Sequence, residues 1–257
     1  MLTLFDISIV DLIKGVVIDL IKLGIAFLAG YFWAKIKIFK NYYLAKNIWR
    51  PFIAKSRQAS VVLTTKPSPN HSGTPKVSLN EVQAFSEIRN TFSGLGADAK
   101  LVDDPSVDLE KLSDNHVISI GGPKFNNVSR EILARVSNKY EILPFSYNEA
   151  AGCIETVNKR LESVIADDKS LATDYGMVIR VQGLNGKPMY SCLVAFGLRG
   201  LGTWGAVKAL TADSDSMSKI DSQFGTKDFA MVLEFKFLEN KLTHTKILAA
   251  NMLVPTS

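Results

Sequence analysis

The chain has 257 residues and a formal net charge of +5, and its positive excess is confined to one region. Residues 60–257 hold 21 basic and 22 acidic residues, whereas residues 35–59 hold seven basic residues and no acidic one. This distribution indicates contact with a membrane surface rather than a nucleic-acid-binding face. The two cysteines, Cys153 and Cys192, are too few for a disulfide framework, which agrees with a reducing cytosol.

The chain begins with an apolar stretch, residues 7–33, that is long enough to cross a bilayer as a helix. Four charged residues interrupt it, at positions that fall on one side of a helical wheel: Asp11, Lys14, Asp19 and Lys22. Each acidic residue has a lysine three positions later, the spacing at which opposite charges meet on a helix. Charges within a membrane are costly unless they are paired or face water. We therefore expect a spanning helix whose polar stripe lines a pore between identical copies.

Three other interpretations of this segment stay open. A signal peptide is disfavoured because Asp6 precedes the apolar stretch and aromatic residues follow it. An amphipathic helix lying in the membrane interface fits the same pattern, and so does a simple anchor. For the spanning helix, the basic residues after it place the C-terminal side in the cytoplasm by the positive-inside rule. The prediction is a single-pass inner-membrane protein with its N-terminus outside the cytoplasm.

The sequence predicts three regions, of which the last is a soluble domain. Residues 1–34 are expected to form the transmembrane helix, residues 35–59 a basic juxtamembrane segment, and residues 60–257 a single cytoplasmic domain that folds alone. Strands alternating with helices predict an α/β fold with a Rossmann-like, mostly parallel sheet and flanking helices. The predicted strands are 60–64, 99–102, 116–120, 176–181, 191–196, 229–237 and 246–252, and the predicted helices are 79–92, 128–136 and 204–210.

Three loops follow predicted strands, and parallel strands would bring them to one edge of the sheet, where open α/β proteins bind ligands. The first is residues 66–76, which includes His71 as a candidate contact. The second and third are glycine-rich turns before helices, where free backbone N–H groups favour a phosphate. They predict a nucleotide-like ligand held by Gly121, Gly122, Pro123, Lys124, Asn126, Arg199, Gly200, Gly202 and Thr203.

A further strand begins at Asp174 and Tyr175, which suit a ribose hydroxyl and a base, respectively. A turn aspartate and a tyrosine at the edge of the core explain the same residues equally well. Neither glycine-rich turn matches the Walker A motif or the G-x-G-x-x-G fingerprint. The sequence shows no cluster of metal ligands, and no metal or cofactor is expected.

Three motifs together are similar to the LOG-type Rossmann domains, in the branch called STALD. They are GGPKFNN after HVISI, then DYGMVIR, then AFGLRGLGTWGAVKAL, and the resemblance covers roughly residues 60–257. A transmembrane helix joined to such a domain resembles the effectors of Hailong-type antiphage systems. The resemblance implies an oligomeric channel, a tetramer for example, that binds a nucleotide or short DNA oligomer made by a partner nucleotidyltransferase. It also implies that the ligand keeps the channel closed, and that its loss depolarises the membrane and arrests growth.

One departure from the LOG pattern bears on catalysis. Hydrolases of that group carry G-G-x-G-T-x-x-E, in which the glutamate serves the reaction, but the aligned position here is Ala206. An alanine cannot act as a general acid or base. The sequence therefore favours a binding domain with no catalytic residue. The alternative is a membrane-tethered enzyme that processes NAD or another nucleotide, with Asp174 as its best catalytic candidate.

Overall fold

The protein divides into two compact units, Met1–Tyr42 and Tyr43–Ser257, and one helix, Ile9–Ile53, contributes residues to both. We describe each unit by itself. The computed structural model describes residues 9–54, 56–65, 76–102, 107–140, 143, 145–184, 187 and 189–255.

The first unit is helical from Ile9 onward, and its apolar side chains are exposed along the helix from residue 14 onward. By length and composition, the helix from Lys14 onward is able to cross a membrane. The expected i,i+3 pairing is present at one of its two positions, where Lys22 Nζ lies 3.3 Å from Asp19 Oδ1. The side chain of Asp11 lies outside the described residues.

The second unit begins earlier than the expected boundary at residue 60. The last turns of the first helix carry Ile48, Trp49 and Phe52, all of which are fully buried. Trp49 packs edge-on against Phe92, with 5.2 Å between ring centroids, and donates from Nε1 to the carbonyl oxygen of Leu210 at 3.1 Å. The compact α/β unit thus begins at Tyr43, and the segment expected to be a juxtamembrane linker supplies core residues to it.

The elements follow the predicted alternation and add several that were not predicted. The helices of the described chain are α1 (Ile9–Ile53), α2 (Leu79–Gly94), α3 (Asn127–Lys139), α4 (Gly200–Thr211) and α5 (Ser214–Phe224). The strands are β1 (Gln58–Leu63), β2 (Asp98–Leu101), β3 (His116–Ile120), β4 (Phe145–Asn148), β5 (Cys153–Thr156), β6 (Arg160–Leu161), β7 (Val164–Ile165), β8 (Leu171–Gln182), β9 (Ser191–Gly197), β10 (Phe229–Leu238) and β11 (Lys241–Met252).

The main sheet is mixed rather than mostly parallel, which corrects part of the predicted fold class. Its order is β11-β10-β8-β9-β3-β1-β2, with β7 paired to β8. Only β2, β1, β3 and β9 run parallel to one another, while β8, β10 and β11 pair antiparallel. The reason is local at β10 and β11, which are joined by Glu239 and Asn240, both with positive φ. Such a two-residue turn forms an antiparallel hairpin.

Alternate residues of the central strands enter two separate cores on opposite faces of the sheet. The end of α1 packs on one face together with α2, α4 and α5, and buries Val178 and Phe235. We call this the α4 face. Helix α3 and the small sheet β4-β5-β6 lie on the other, which we call the α3 face, where Met177 and Phe196 are buried.

Candidate functional site

Strands β9, β3 and β1 are parallel neighbours, so their carboxyl ends share one edge of the sheet, which we call the loop edge. The expected convergence of the glycine-rich turns is confirmed there. The N–H of Gly121, at the end of β3, donates to the carbonyl of Ala195 in β9 at 3.0 Å. Most of the first predicted loop, namely residues 66–75 with His71, lies outside the described residues.

Gly121 is required by packing. Its φ is +108°, a conformation that side chains rarely adopt, and a Cβ there would lie 1.9 Å from Thr64 Oγ1. Gly122 differs, since a Cβ would meet only Phe196 Cδ2 at an ordinary 3.5 Å. Of these two glycines, only Gly122 is free to serve a ligand without first serving the fold.

Asn126 organises the turn between β3 and α3 from a buried position. Its Oδ1 accepts the N–H of Ser129 at 3.0 Å, which makes it the N-cap of α3, and its Nδ2 donates to the Ile120 carbonyl at 3.1 Å. Arg130 reaches back and donates to the carbonyl oxygen of Pro123 at 2.8 Å. The turn is thus held from both ends, and Lys124 projects from it as an exposed cation.

Glu81 is a loop-edge residue that the sequence analysis missed. It is buried in the first turn of α2, and its Oε2 accepts the backbone N–H of Thr64 at 3.1 Å. A Cβ on Gly121 would come within 2.9 Å of its Oε1. An acidic residue in the first turn of a helix is common, so its position in the sequence alone did not distinguish it.

The N-terminus of α4 is occupied by a protein carboxylate. Asp174 Oδ2 accepts the N–H of Gly202 at 2.9 Å and that of Arg199 at 3.1 Å, while Oδ1 accepts from Ser163 Oγ at 2.7 Å. Asp174 is fully buried, and burial raises its pKa above the ordinary value although these hydrogen bonds oppose the shift. The carboxylate thus caps α4 and fills the position that we predicted for a phosphate.

Two glycines of the β9–α4 turn serve this arrangement. A Cβ on Gly202 would lie 2.3 Å from Asp174 Oδ2, and one on Gly200 would lie 2.7 Å from Asn80 Nδ2. Thr203 is buried and accepts the N–H of Gly197 through Oγ1 at 2.9 Å. The turn is therefore closely packed, and Arg199 is its exposed cation, beside a cavity of about 260 Å³.

Tyr175 and Asp174, which the sequence assigned to one ligand, lie on opposite faces of the sheet. Asp174 points toward α4, whereas Tyr175 lies on the α3 face. Tyr175 donates from Oη to Glu234 Oε2 at 3.4 Å. Burial and the negative charge of Glu234 raise the pKa of Tyr175. Tyr175 lines a cleft of about 530 Å³ on that face. Adjacent strand residues alternate in direction, so one ligand cannot be assigned to both from sequence proximity.

Within the described part of the chain, no group of three or more histidine, cysteine, aspartate or glutamate side chains could hold a metal ion. The candidate ligand contacts at the loop edge are therefore not metal ligands. They are the exposed cations Lys124 and Arg199, the backbone of Gly122 and the buried carboxylate of Glu81. Searches with this chain against protein-family models, curated proteins and solved structures found no match. The relationship to LOG-type domains stays a prediction from the motifs, and function is argued from the site.

Proposed function

We propose that the chain is an oligomeric membrane effector whose α/β unit binds a nucleotide-type signal at the loop edge and so controls a pore formed by α1. A single helix cannot enclose a pore, so the proposal requires several copies of the chain. The predicted consequence of pore opening is membrane depolarisation and growth arrest, as in the antiphage effectors that the motifs resemble.

The observation that carries this proposal is that the helix able to cross a membrane ends as part of the ligand-binding unit's core. Arg180 of β8 donates from Nη1 to the carbonyl of Ile48 at 2.7 Å. Asn47 donates from Nδ2 to Asp221 Oδ2 at 3.2 Å, and Ser191 Oγ donates to the Pro51 carbonyl at 3.2 Å. A simple anchor needs only a flexible linker, whereas a helix that shares the core with the sheet suits a chain in which ligand binding acts on the membrane segment.

The charges at the loop edge favour an anionic ligand. Lys124 and Arg199 are exposed on the two turns that the parallel strands bring together, and Gly122 leaves space for close backbone approach. A phosphate that contacts both cations would gain charge-assisted hydrogen bonds. Because Asp174 already accepts the N–H of Gly202, we propose that the phosphate contacts the two cations and Gly122 instead.

Two observations favour binding over turnover. Asp174, the best catalytic candidate from the sequence, has both carboxylate oxygens engaged in hydrogen bonds with the protein. Ala206, at the position of the LOG-group glutamate, is fully buried in the core on the α4 face. A membrane-tethered nucleotide hydrolase stays the second candidate, because the buried Glu81 puts a carboxylate at the loop edge.

The test uses the full-length chain purified in mild detergent. Nucleotides released by heat denaturation are identified by mass spectrometry, and the protein is then reconstituted in vesicles for dye-reported ion flux with and without them. We expect a nucleotide to be recovered and flux to depend on it. Replacing Lys124 and Arg199 together by alanine should remove the dependence, while Lys100 and Arg89, exposed elsewhere, serve as the matched alanine control. Flux that ignores every recovered nucleotide contradicts the proposal, and multiple turnovers would favour the hydrolase.

A further inference from the structure

Three polar side chains lie abreast across the antiparallel half of the sheet. Tyr175 of β8 pairs with Glu234 of β10, and Glu234 pairs in turn with Lys246 of β11. All three line the cleft of about 530 Å³ on the α3 face. The pleat directs paired residues of neighbouring strands to the same side, so a hydroxyl-bearing ring, a carboxylate and an ammonium group stand in one row.

The cleft has apolar walls in addition to this polar row. The turn that joins β5 to β6 lines one side of the cleft and is closed by the Thr156 N–H, which donates to the Lys159 carbonyl at 2.8 Å. Val157 at the tip of this turn is 87% exposed and lines the cleft. Leu161 and Leu248 line the interior of the cleft. The volume lies within the range of about 300–1,000 Å³ typical of small-molecule sites.

The side chains of Tyr175 and Glu234 favour a ligand with a flat ring that donates hydrogen bonds. The aromatic ring of Tyr175 is a stacking surface, and base–aromatic stacking contributes about 1–3 kcal/mol per base. An ionised Glu234 accepts hydrogen bonds and donates none, so it favours an amino group and repels a carbonyl oxygen. Adenine and cytosine present an amino group where hypoxanthine and uracil present oxygen. Lys159 and Lys246 are exposed at the cleft and add positive charge at its rim, which favours an anionic nucleotide over a neutral base.

We propose that this cleft binds the amino-bearing base of an adenine or cytosine nucleotide, with the amino group donating to Glu234 and the ring against Tyr175. The inference rests on the proposed function in that it names the base of a nucleotide-type signal. The cleft adjoins the β9–α4 turn, since the Leu198 N–H donates to the Tyr175 carbonyl at 2.9 Å. A ligand that occupies the cleft therefore contacts the strand residue to which this turn is bonded.

The test compares matched nucleotides on the full-length chain in detergent by equilibrium dialysis. AMP should bind at least tenfold more tightly than IMP, or CMP at least tenfold more tightly than UMP, since each pair differs by an amino-to-oxo exchange. Glu234→Gln should reduce that preference to less than threefold, because the amide can turn its N–H₂ toward the oxo group. Tyr175→Ala should weaken the preferred nucleotide at least tenfold. Glu239→Gln, in the exposed turn after β10, is the matched control and should keep wild-type binding.

The outcomes separate this inference from the proposed function. Loss of binding in the Lys124 and Arg199 double variant, with an intact preference in Glu234→Gln and Tyr175→Ala, would overturn the cleft and leave the loop-edge proposal standing. Loss of the preference in the cleft variants, with ion flux indifferent to nucleotides, would support the cleft and contradict the gating. Equal affinity for the paired nucleotides, or no binding of any of the four, overturns the inference. The thermal unfolding midpoint of each variant confirms that it is folded.

Discussion

Arg180 and Ile48 join the central sheet to the helix that carries the apolar segment. The guanidinium of Arg180 is fully buried and donates to the carbonyl of Ile48 at 2.7 Å, and also to the carbonyls of Gly225 at 2.6 Å and Lys227 at 2.5 Å. It stacks on Phe229, with 4.6 Å from Cζ to the ring centroid. Burial lowers the pKa of Arg180 to about 10, so the group stays charged at neutral pH. One side chain therefore bonds the end of α1 and the α5–β10 turn to β8.

Replacing this arginine should destabilise the α/β unit. Arg180→Leu removes three charge-assisted hydrogen bonds, and we expect the free energy of unfolding to fall by about 3–5 kcal/mol. Arg180→Lys should recover only part of this loss, because an ammonium group lacks the planar fork that reaches three carbonyls. Denaturant unfolding followed by tryptophan fluorescence measures both variants. Arg89→Leu, on the exposed surface of α2, is the control, and an equal effect there would contradict the assigned role.

The start of the α/β unit at Tyr43 predicts how truncated chains behave. Residues 43–257 should fold with one cooperative transition, since they retain Ile48, Trp49 and Phe52 in the core. A chain that starts at residue 60 loses all three, each worth about 1.5–3 kcal/mol of burial. That loss is comparable with the whole stability of a typical domain. Circular dichroism melts compare the two chains, and an equally stable 60–257 chain would restore the boundary expected from the sequence.

The helix cap formed by Asp174 predicts that removing its side chain lowers the free energy of unfolding more than removing only its charge. Asp174→Ala should lower the free energy of unfolding by about 1–2 kcal/mol, since it leaves two N–H groups of α4 without their acceptor. Asp174→Asn keeps an acceptor oxygen and should cost less. The measurement is urea unfolding at pH 7, and an alanine variant as stable as wild type would argue against the cap.

The same residue predicts a sign for the pH dependence. Burial raises the folded-state pKa of Asp174 above the ordinary value of 3.8, so the folded protein binds a proton that the unfolded chain has released. The part of the stability that depends on protonation of Asp174 is therefore present below pH 3.8 and is lost as pH rises through the folded pKa, whereas the hydrogen-bonded cap that Asp174→Ala removes is measured separately at pH 7. Relative to Asp174→Asn, the wild type should gain stability as pH falls into this range, and the opposite slope would refute the assignment.

Gly122 and Gly202 should respond differently to the same substitution. Gly202→Ala places a Cβ 2.3 Å from Asp174 Oδ2 and should lower the thermal unfolding midpoint, whereas Gly122→Ala meets only an ordinary contact and should be tolerated. Gly202→Asp is therefore not a clean test of ligand binding, because its Cβ would meet the same Asp174 oxygen. Gly122→Asp should abolish nucleotide retention by repelling a phosphate while the protein stays folded. Unchanged retention in Gly122→Asp, with Gly122→Ala as control, would remove the phosphate from this turn.

The polar stripe of the first unit predicts a defect in conduction without a defect in insertion. Replacing Asp19 and Lys22 together by leucine makes the helix more apolar, so membrane insertion should remain, but an all-apolar lining tends to exclude water. Ion flux and growth arrest should fall. Dye-reported membrane potential in cells that express matched amounts of protein measures this. Val17→Leu with Leu20→Ile, on the side of the helix that faces away from the charged stripe, is the control. If the Asp19 and Lys22 variant still depolarises cells, the helix is an anchor or an interfacial element.

Local patterns in the sequence were sufficient to predict the membrane-length helix and the central strands. The helix before residue 34 could be predicted because that prediction needs only the length and composition of the apolar stretch. Strands β3 and β9 each run into a glycine-rich turn and a helix, and this order predicted their shared edge. The antiparallel pairing of β8, β10 and β11, the small sheet β4-β5-β6 and helix α5 were not predicted. Their pairing and burial depend on contacts between distant segments rather than on local period.

Only the tertiary structure decided what the individual site residues do. The segment after residue 42 combines basic and aromatic residues that suit a lipid headgroup region, yet Trp49 is buried against the sheet. Asp174 and Gly202 are distant in sequence, and their hydrogen bond exists because β8 runs antiparallel beside β9. The alternation of strand side chains turns Tyr175 away from Asp174 toward Glu234. The burial and the hydrogen-bond partners of these residues could not be predicted from local sequence, because they depend on segments that only the fold brings together.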